Sequence, residues 1–145
     1  MNYGRLVIAA VVATIVDAVY GLVVWARVLH GEFARYPQIY RPGDDTSGFA
    51  IMFLGIFAAM LVASYIYAKG YEGGSAAAEG LKFGIVLALL MAIYISSTSY
   101  GTLRIGKKMM LTYLGGQFGE FLLVGLAIGL VYRAAGSAAK RAAGV

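Results

Sequence analysis

The chain has 145 residues, 61% of them hydrophobic and only 13% charged, with a net charge of +5 and a mean hydropathy of +0.78. That balance describes one small membrane-embedded domain whose positive charge suits anionic lipid headgroups. There is no cysteine and a single histidine, His30. Disulfides, thiolate metal sites, iron–sulfur clusters, cysteine nucleophiles and a histidine pair for metal or haem are thereby excluded. No cofactor is expected.

Four apolar stretches of ~20 residues follow one another at 6–26, 49–68, 83–103 and 109–132. They predict an all-α integral membrane four-helix bundle, with residues 1–133 as one four-span domain and 134–145 as a basic surface tail. The first stretch reads as a retained span and not a signal peptide, since it is long, carries Asp17 and lacks a small-x-small cleavage site. The connection 27–48 is the only long one. Pro37, Pro42 and the run from Gly43 to Asp45 stop any helix there, and Phe33, Tyr36 and Tyr40 suit the headgroup interface, either as an ordered loop or as a lid over a site. Residues 69–82 read as a glycine-rich connection, and 104–108 as a tight one.

Basic residues divide evenly between the two ends. Arg5, Lys69, Lys82, Arg133, Lys140 and Arg141 share one side; Arg27, Arg35, Arg41, Arg104, Lys107 and Lys108 share the other. Six against six leaves orientation undecided by charge, and the long loop with its prolines and acids favours termini on the cytoplasmic side of a bacterial inner membrane. These basic residues are dispersed, with no basic-plus-aromatic patch, so a nucleic-acid partner is not expected. The expected partners are membrane lipids, together with a second copy of the chain or a larger membrane complex.

Two acids lie deep inside spans. Asp17 is 12 residues from Arg5 and 10 from Arg27; Glu120 is 12 from Lys108 and 13 from Arg133. At ~1.5 Å per residue, each stands roughly 15–20 Å from its flanking charges, near the bilayer midplane. An ionised group there costs about 2.5–3.5 kcal/mol, so each is expected to face a partner or a cavity. On the fourth span Tyr113, Gln117 and Glu120 share one face, while Gly115, Gly119, Gly125 and Gly129 occupy the opposite ~120° as a close-packing seam. In the first span Tyr20 is a helical neighbour of Asp17. Spans one and four are therefore expected to face each other across the acids.

Hydroxyl residues 96–100, with Thr112, Tyr113, Gln117 and Tyr20, collect on the long-loop side of the midplane and suggest a polar vestibule above the acids. The site candidates are Asp17, Glu120, Gln117, Tyr20 and Tyr113, which together could share a proton or hold a cation, or could simply lock helices together. No nucleophile–histidine–acid set, metal cluster or phosphate-binding glycine signature is present in the sequence, so enzymatic chemistry is not expected.

A short four-span chain with a midplane acid in its first span resembles the small multidrug resistance transporters in architecture. It departs from them in its long first loop, in having Asp17 where they carry a glutamate, and in its second intramembrane acid. The run Tyr67-Ala-Lys-Gly-Tyr-Glu-Gly-Gly, the segment Glu79-Gly-Leu-Lys-Phe-Gly84 and the ending Gly129-Leu-Val-Tyr132 look more like uncharacterised four-helix bacterial membrane proteins. That resemblance covers most of the chain and implies a fold but no activity.

Overall fold

The computed structural model describes residues 1–42, 44–72 and 74–142, with side chains described as far as Tyr132. Gly43, Gly73 and the surface placement expected for 134–145 lie outside the described residues.

Helix α1 (Tyr3–Tyr20) starts at Asn2, whose side-chain oxygen accepts the Arg5 N–H at 3.2 Å, a standard way to satisfy a first-turn donor. It continues without a break into a π-helical segment, Gly21–Val28. The Gly21 N–H is shared between the carbonyls of Asp17 and Ala18, and the Leu29 N–H reaches five residues back to Val24 at 2.8 Å. After the short α2 (His30–Phe33) the long connection leads to α3 (Phe49–Gly70), α4 (Ala76–Thr102) and α5 (Lys107–Ala142). No strand occurs among the described residues. Four segments, Tyr3–Val28, Phe49–Gly70, Ala76–Thr102 and Lys107–Tyr132, are long and apolar enough to cross a membrane. Their outward faces expose large aliphatic side chains such as Ile15, Leu54 and Leu90, at 57, 70 and 64%. Water would penalise such faces and lipid does not. The protein is an all-α, multi-pass membrane four-helix bundle.

α5 is the hub. It lies along α4 on one flank and α1 on the other, and α3 packs chiefly against α1 while also touching α5. The core between α1, α3 and α5 is built from Ala9, Ala10, Ala13, Met60, Ala63, Tyr67, Val124 and Ile128. Three alanines on α1 let its neighbours approach closely, which matters because packing, not apolar burial, holds helices together in lipid. This core occupies the half of the bundle nearer the termini. Its outer end is closed by rings: Tyr67 meets Phe83 at 5.4 Å and Tyr132 at 5.9 Å, and Tyr71 meets Tyr132 at 6.1 Å between centroids.

The α4–α5 contact is closer still. A methyl group on Gly84 would sit 2.7 Å from the Leu122 carbonyl oxygen, and one on Gly80 3.0 Å from both the Gly125 oxygen and the Gly129 Cα. Backbone faces backbone there, with Gly80 and Gly84 opposite Gly129 and Gly125. On α4 the buried positions Gly80, Gly84, Ala88, Ala92 and Ser96 recur every four residues, a continuous small-residue stripe.

Two expectations are corrected here. The connection expected to reach residue 82 ends at Ser75, whose hydroxyl accepts the Ala78 N–H at 3.4 Å while Glu79 Oε1 accepts the Gly74 N–H. The Ser75 cap starts the helix early enough to put Gly80 inside it. The four-glycine seam of α5 also divides. Gly125 and Gly129 meet α4, Gly119 meets the Tyr20 hydroxyl, and Gly115 faces open space. A ~120° arc is wider than one neighbouring helix covers, so α4 takes one edge of it and Tyr20 the other.

Candidate functional site: the Asp17–Glu120 pair under an aromatic strap

α1 and α5 cross at the level of the two acids. Both are buried, Asp17 at 8% and Glu120 at 7% exposure, and Asp17 lies close enough for its charge to act on Glu120. Small neighbours make this possible. Ala13 sits one turn below Asp17 on the same buried face of α1, and Gly116 and Gly119 flank Glu120 on α5. The Tyr20 hydroxyl fills the space at Gly119 and donates to the Gly116 carbonyl at 2.8 Å, so it braces the two helices beside the acids. Tyr20 is thus a neighbour of the pair that spends its own proton on the backbone.

The direct partner of Glu120 is Trp25. Its indole Nε1–H donates to Glu120 Oε2 at 3.1 Å, while the ring lies against Gly116. Among the described residues no other hydrogen bond reaches either carboxyl group, and no third metal-ligating side chain completes a cluster with them. Gln117 is half-buried one turn from Tyr113, on the site side of α5, and makes no hydrogen bond to the acids. Tyr113 is engaged above them instead, its hydroxyl 2.6 Å from that of Tyr40.

Trp25 was not among the residues singled out by sequence. At 100° per residue it stands about 80° around a straight α-helix from Asp17, off the site face. The i→i+5 winding of Gly21–Val28 turns less per residue, which takes back most of that offset over the four steps from Gly21 to Trp25. The π-helical segment is the reason the indole reaches Glu120.

Above Trp25 the long connection folds inward as a strap. Phe33 packs edge-on to Trp25 at 5.8 Å and to Tyr113 at 6.1 Å, and Tyr40 packs on Phe33 at 4.9 Å. Trp25 and Tyr113 close the ring at 6.0 Å. Two further ties bind the strap to the α4–α5 turn. Glu32 meets Lys108 at 2.5 Å, and the Tyr36 hydroxyl accepts the Gly106 N–H at 3.1 Å. Of the interfacial aromatics, Phe33 thus packs on Tyr113 and on Trp25, the residue that reaches Glu120, and Tyr40 packs on Phe33.

The expected open vestibule is replaced by this cover. Thr98 and Thr102 return their hydroxyls to helix carbonyls at 2.7 Å, and Ser97, Thr98 and Tyr100 are exposed on the outside of α4. Of hydroxyls 96–100, Ser96 alone is fully buried. A run of consecutive hydroxyl residues points in all directions around a helix, so only part of it can face the bundle.

The strap's ties yield two expected results. Lys108 and Arg35, the latter at 3.7 Å, hold the Glu32 carboxyl below its ordinary value of 4.5. A lowered folded-state value means the tie is intact above pH ~4.5 and is lost as pH falls through the lowered value. Backbone exchange in 29–48, followed by hydrogen–deuterium mass spectrometry, should therefore be slow at pH 6 and faster near pH 3 after correction for intrinsic rates. Equal protection at both values would show that the ion pair does not hold the strap. Tyr113→Phe removes one hydroxyl of the Tyr40 pair, which should cost about 1 kcal/mol and raise the rate of proteolytic nicking in the strap roughly fivefold. An unchanged rate would assign closure to ring packing alone.

The arrangement is two buried carboxyl groups on α1 and α5, one indole donor and a cluster of aromatic rings beside it. Chemically it can hold or exchange a proton between neighbouring carboxyls, or take a cation in its place. Comparison with protein-family models, curated proteins and solved structures finds no match for this chain, so neither resemblance suggested by the sequence assigns a role to any of these residues.

Proposed function

We propose that the protein is a small proton-linked permeation or transport protein of a bacterial inner membrane, with cytoplasmic termini, and that Asp17 and Glu120 hold an exchangeable proton between them. The observation that supports this reading is that both acids are buried, with Trp25 as the one hydrogen-bond donor to either carboxyl group among the described residues. Two ionised carboxylates side by side in hydrocarbon repel strongly, and one proton held in common relieves that repulsion. A helix lock could be made from amides at lower cost. Trp25, tied to both Glu120 and Phe33, links the acids to the strap and so to the aqueous side.

The test is proton flux in reconstituted vesicles carrying an internal pH indicator. Wild-type protein should dissipate an imposed pH gradient faster than empty vesicles. Glu120→Gln should remove that excess and Asp17→Asn should reduce it at least about tenfold, with folding checked for each variant. If both variants match wild type in flux but lose stability, the acids are a helix lock. The protein is then better described as a non-catalytic subunit of a larger membrane complex, for which the open face at Gly115 offers a place for a neighbour's backbone to approach.

A further inference from the structure

α3 and α4 follow one another in the chain but meet only near their connection, where Tyr67 and Phe83 stack edge to face. Beyond that pair the two helices and their connection line a cleft of about 530 Å³, at the end of the bundle bearing the termini and sharing no residue with the acid site. Its wall is graded by depth. Ile66 and Val86, both exposed apolar side chains, line the part nearest the bilayer interior. Glu72, Glu79 and Lys82 line the part at the connection, where the headgroups of one leaflet lie.

The polar part carries both signs of charge. Lys82 is exposed, and no hydrogen bond or ion pair joins it to Glu72 or Glu79. Glu79 uses Oε1 to cap the Gly74 N–H, which leaves Oε2 without a hydrogen bond among the described residues; Glu72 is exposed and lines the same cleft. An anionic lipid would meet one ammonium and two carboxylates, a net repulsion. A zwitterion with a phosphate and a compact ammonium complements all three groups. A primary ammonium has three N–H donors for the carboxylates, and a quaternary one has none.

We infer that the α3–α4 cleft is a binding site for a phospholipid with a primary-amine headgroup. Its phosphate meets Lys82, its ammonium meets Glu72 and Glu79, and an acyl chain lies along Ile66 and Val86 on a floor made by Tyr67 and Phe83. Dispersion contacts with the chain supply adhesion, which ordinary bilayer lipid would supply equally. Selectivity comes from the headgroup alone.

The experiment is native mass spectrometry of the full chain released from detergent, titrated with phosphatidylethanolamine, phosphatidylcholine or phosphatidylglycerol of identical acyl chains. Ethanolamine lipid should be retained at about fivefold lower concentration than choline lipid, since the two differ only in methylation of the amine, and phosphatidylglycerol should bind more weakly than either. Glu72→Gln should narrow the ethanolamine–choline difference, leaving the part due to Glu79, and Lys82→Glu should weaken retention of both. Val86→Trp places a ring in the cleft from an exposed position, so it should abolish selective retention while leaving thermal stability at the wild-type level. Equal retention of ethanolamine and choline lipids, stronger retention of phosphatidylglycerol, or selective binding that survives Val86→Trp would each overturn the assignment.

Discussion

Replacing Gly84 by leucine is expected to lift α4 off α5 and to cost about 3 kcal/mol of bundle stability, the upper end of what overpacking a close contact does. A methyl group at this position already stands 2.7 Å from the Leu122 carbonyl oxygen and 3.2 Å from its Cα. Those are backbone atoms, which cannot rotate aside as a side chain can. Gly84→Ala should therefore destabilise too, by less. Gly115→Leu on α5 is the control, because a side chain there enters open space. Unfolding of the two leucine variants in mixed micelles by increasing SDS compares them directly. If Gly84→Leu unfolds at the same SDS fraction as Gly115→Leu, the glycine contact contributes nothing to the bundle.

The same contact marks where sequence reasoning works and where it stops. Spans are legible because ~20 apolar residues have few other uses, and the depth of Asp17 and Glu120 follows from counting to the flanking charges. That both acids are buried follows in turn from what exposure to lipid would cost. The glycines of α5 were visible as a stripe, but a stripe does not say which neighbour it meets. Its partner is a four-residue recurrence of small residues from Gly80 to Ser96, masked in the sequence because Gly70, Gly74 and Gly80 together resemble a loop. Ser75, a hydroxyl residue directly before the helix-forming run Ala76–Ala78, is the signal that separates the two.

Trp25 leaves a weaker trace in the sequence. Its approach to Glu120 depends on a change of helical winding at Gly21, and a fixed 100° periodicity places it on the wrong face. The inward fold of Phe33 and Tyr40 was equally hidden, since an aromatic side chain between spans suits the headgroup region and a bundle cover alike. What decides between them is the set of long-range ties, Glu32 to Lys108, Tyr36 to Gly106 and Tyr40 to Tyr113, each joining residues at least 70 apart in sequence. No local pattern encodes such pairs.

Trp25→Phe tests whether the indole N–H, and not merely its bulk, holds the site together. Phenylalanine keeps a ring facing Phe33 and Tyr113 but brings no donor to Glu120. A hydrogen bond to a charged or shared-proton carboxyl in a water-poor site contributes about 1.5–3 kcal/mol, so the variant should be destabilised by roughly 2 kcal/mol. Part of any such loss comes from the smaller ring, and a double-mutant cycle separates the two contributions. Glu120→Gln retains a carbonyl oxygen that can accept from Trp25 while carrying no charge, so Trp25→Phe should cost about 1 kcal/mol less in that background than in wild type. A cost identical in both backgrounds would attribute the whole effect to ring packing. The predicted difference would instead show that Trp25 recognises the carboxyl group itself, and that the π-helical turn which delivers the indole is part of the site.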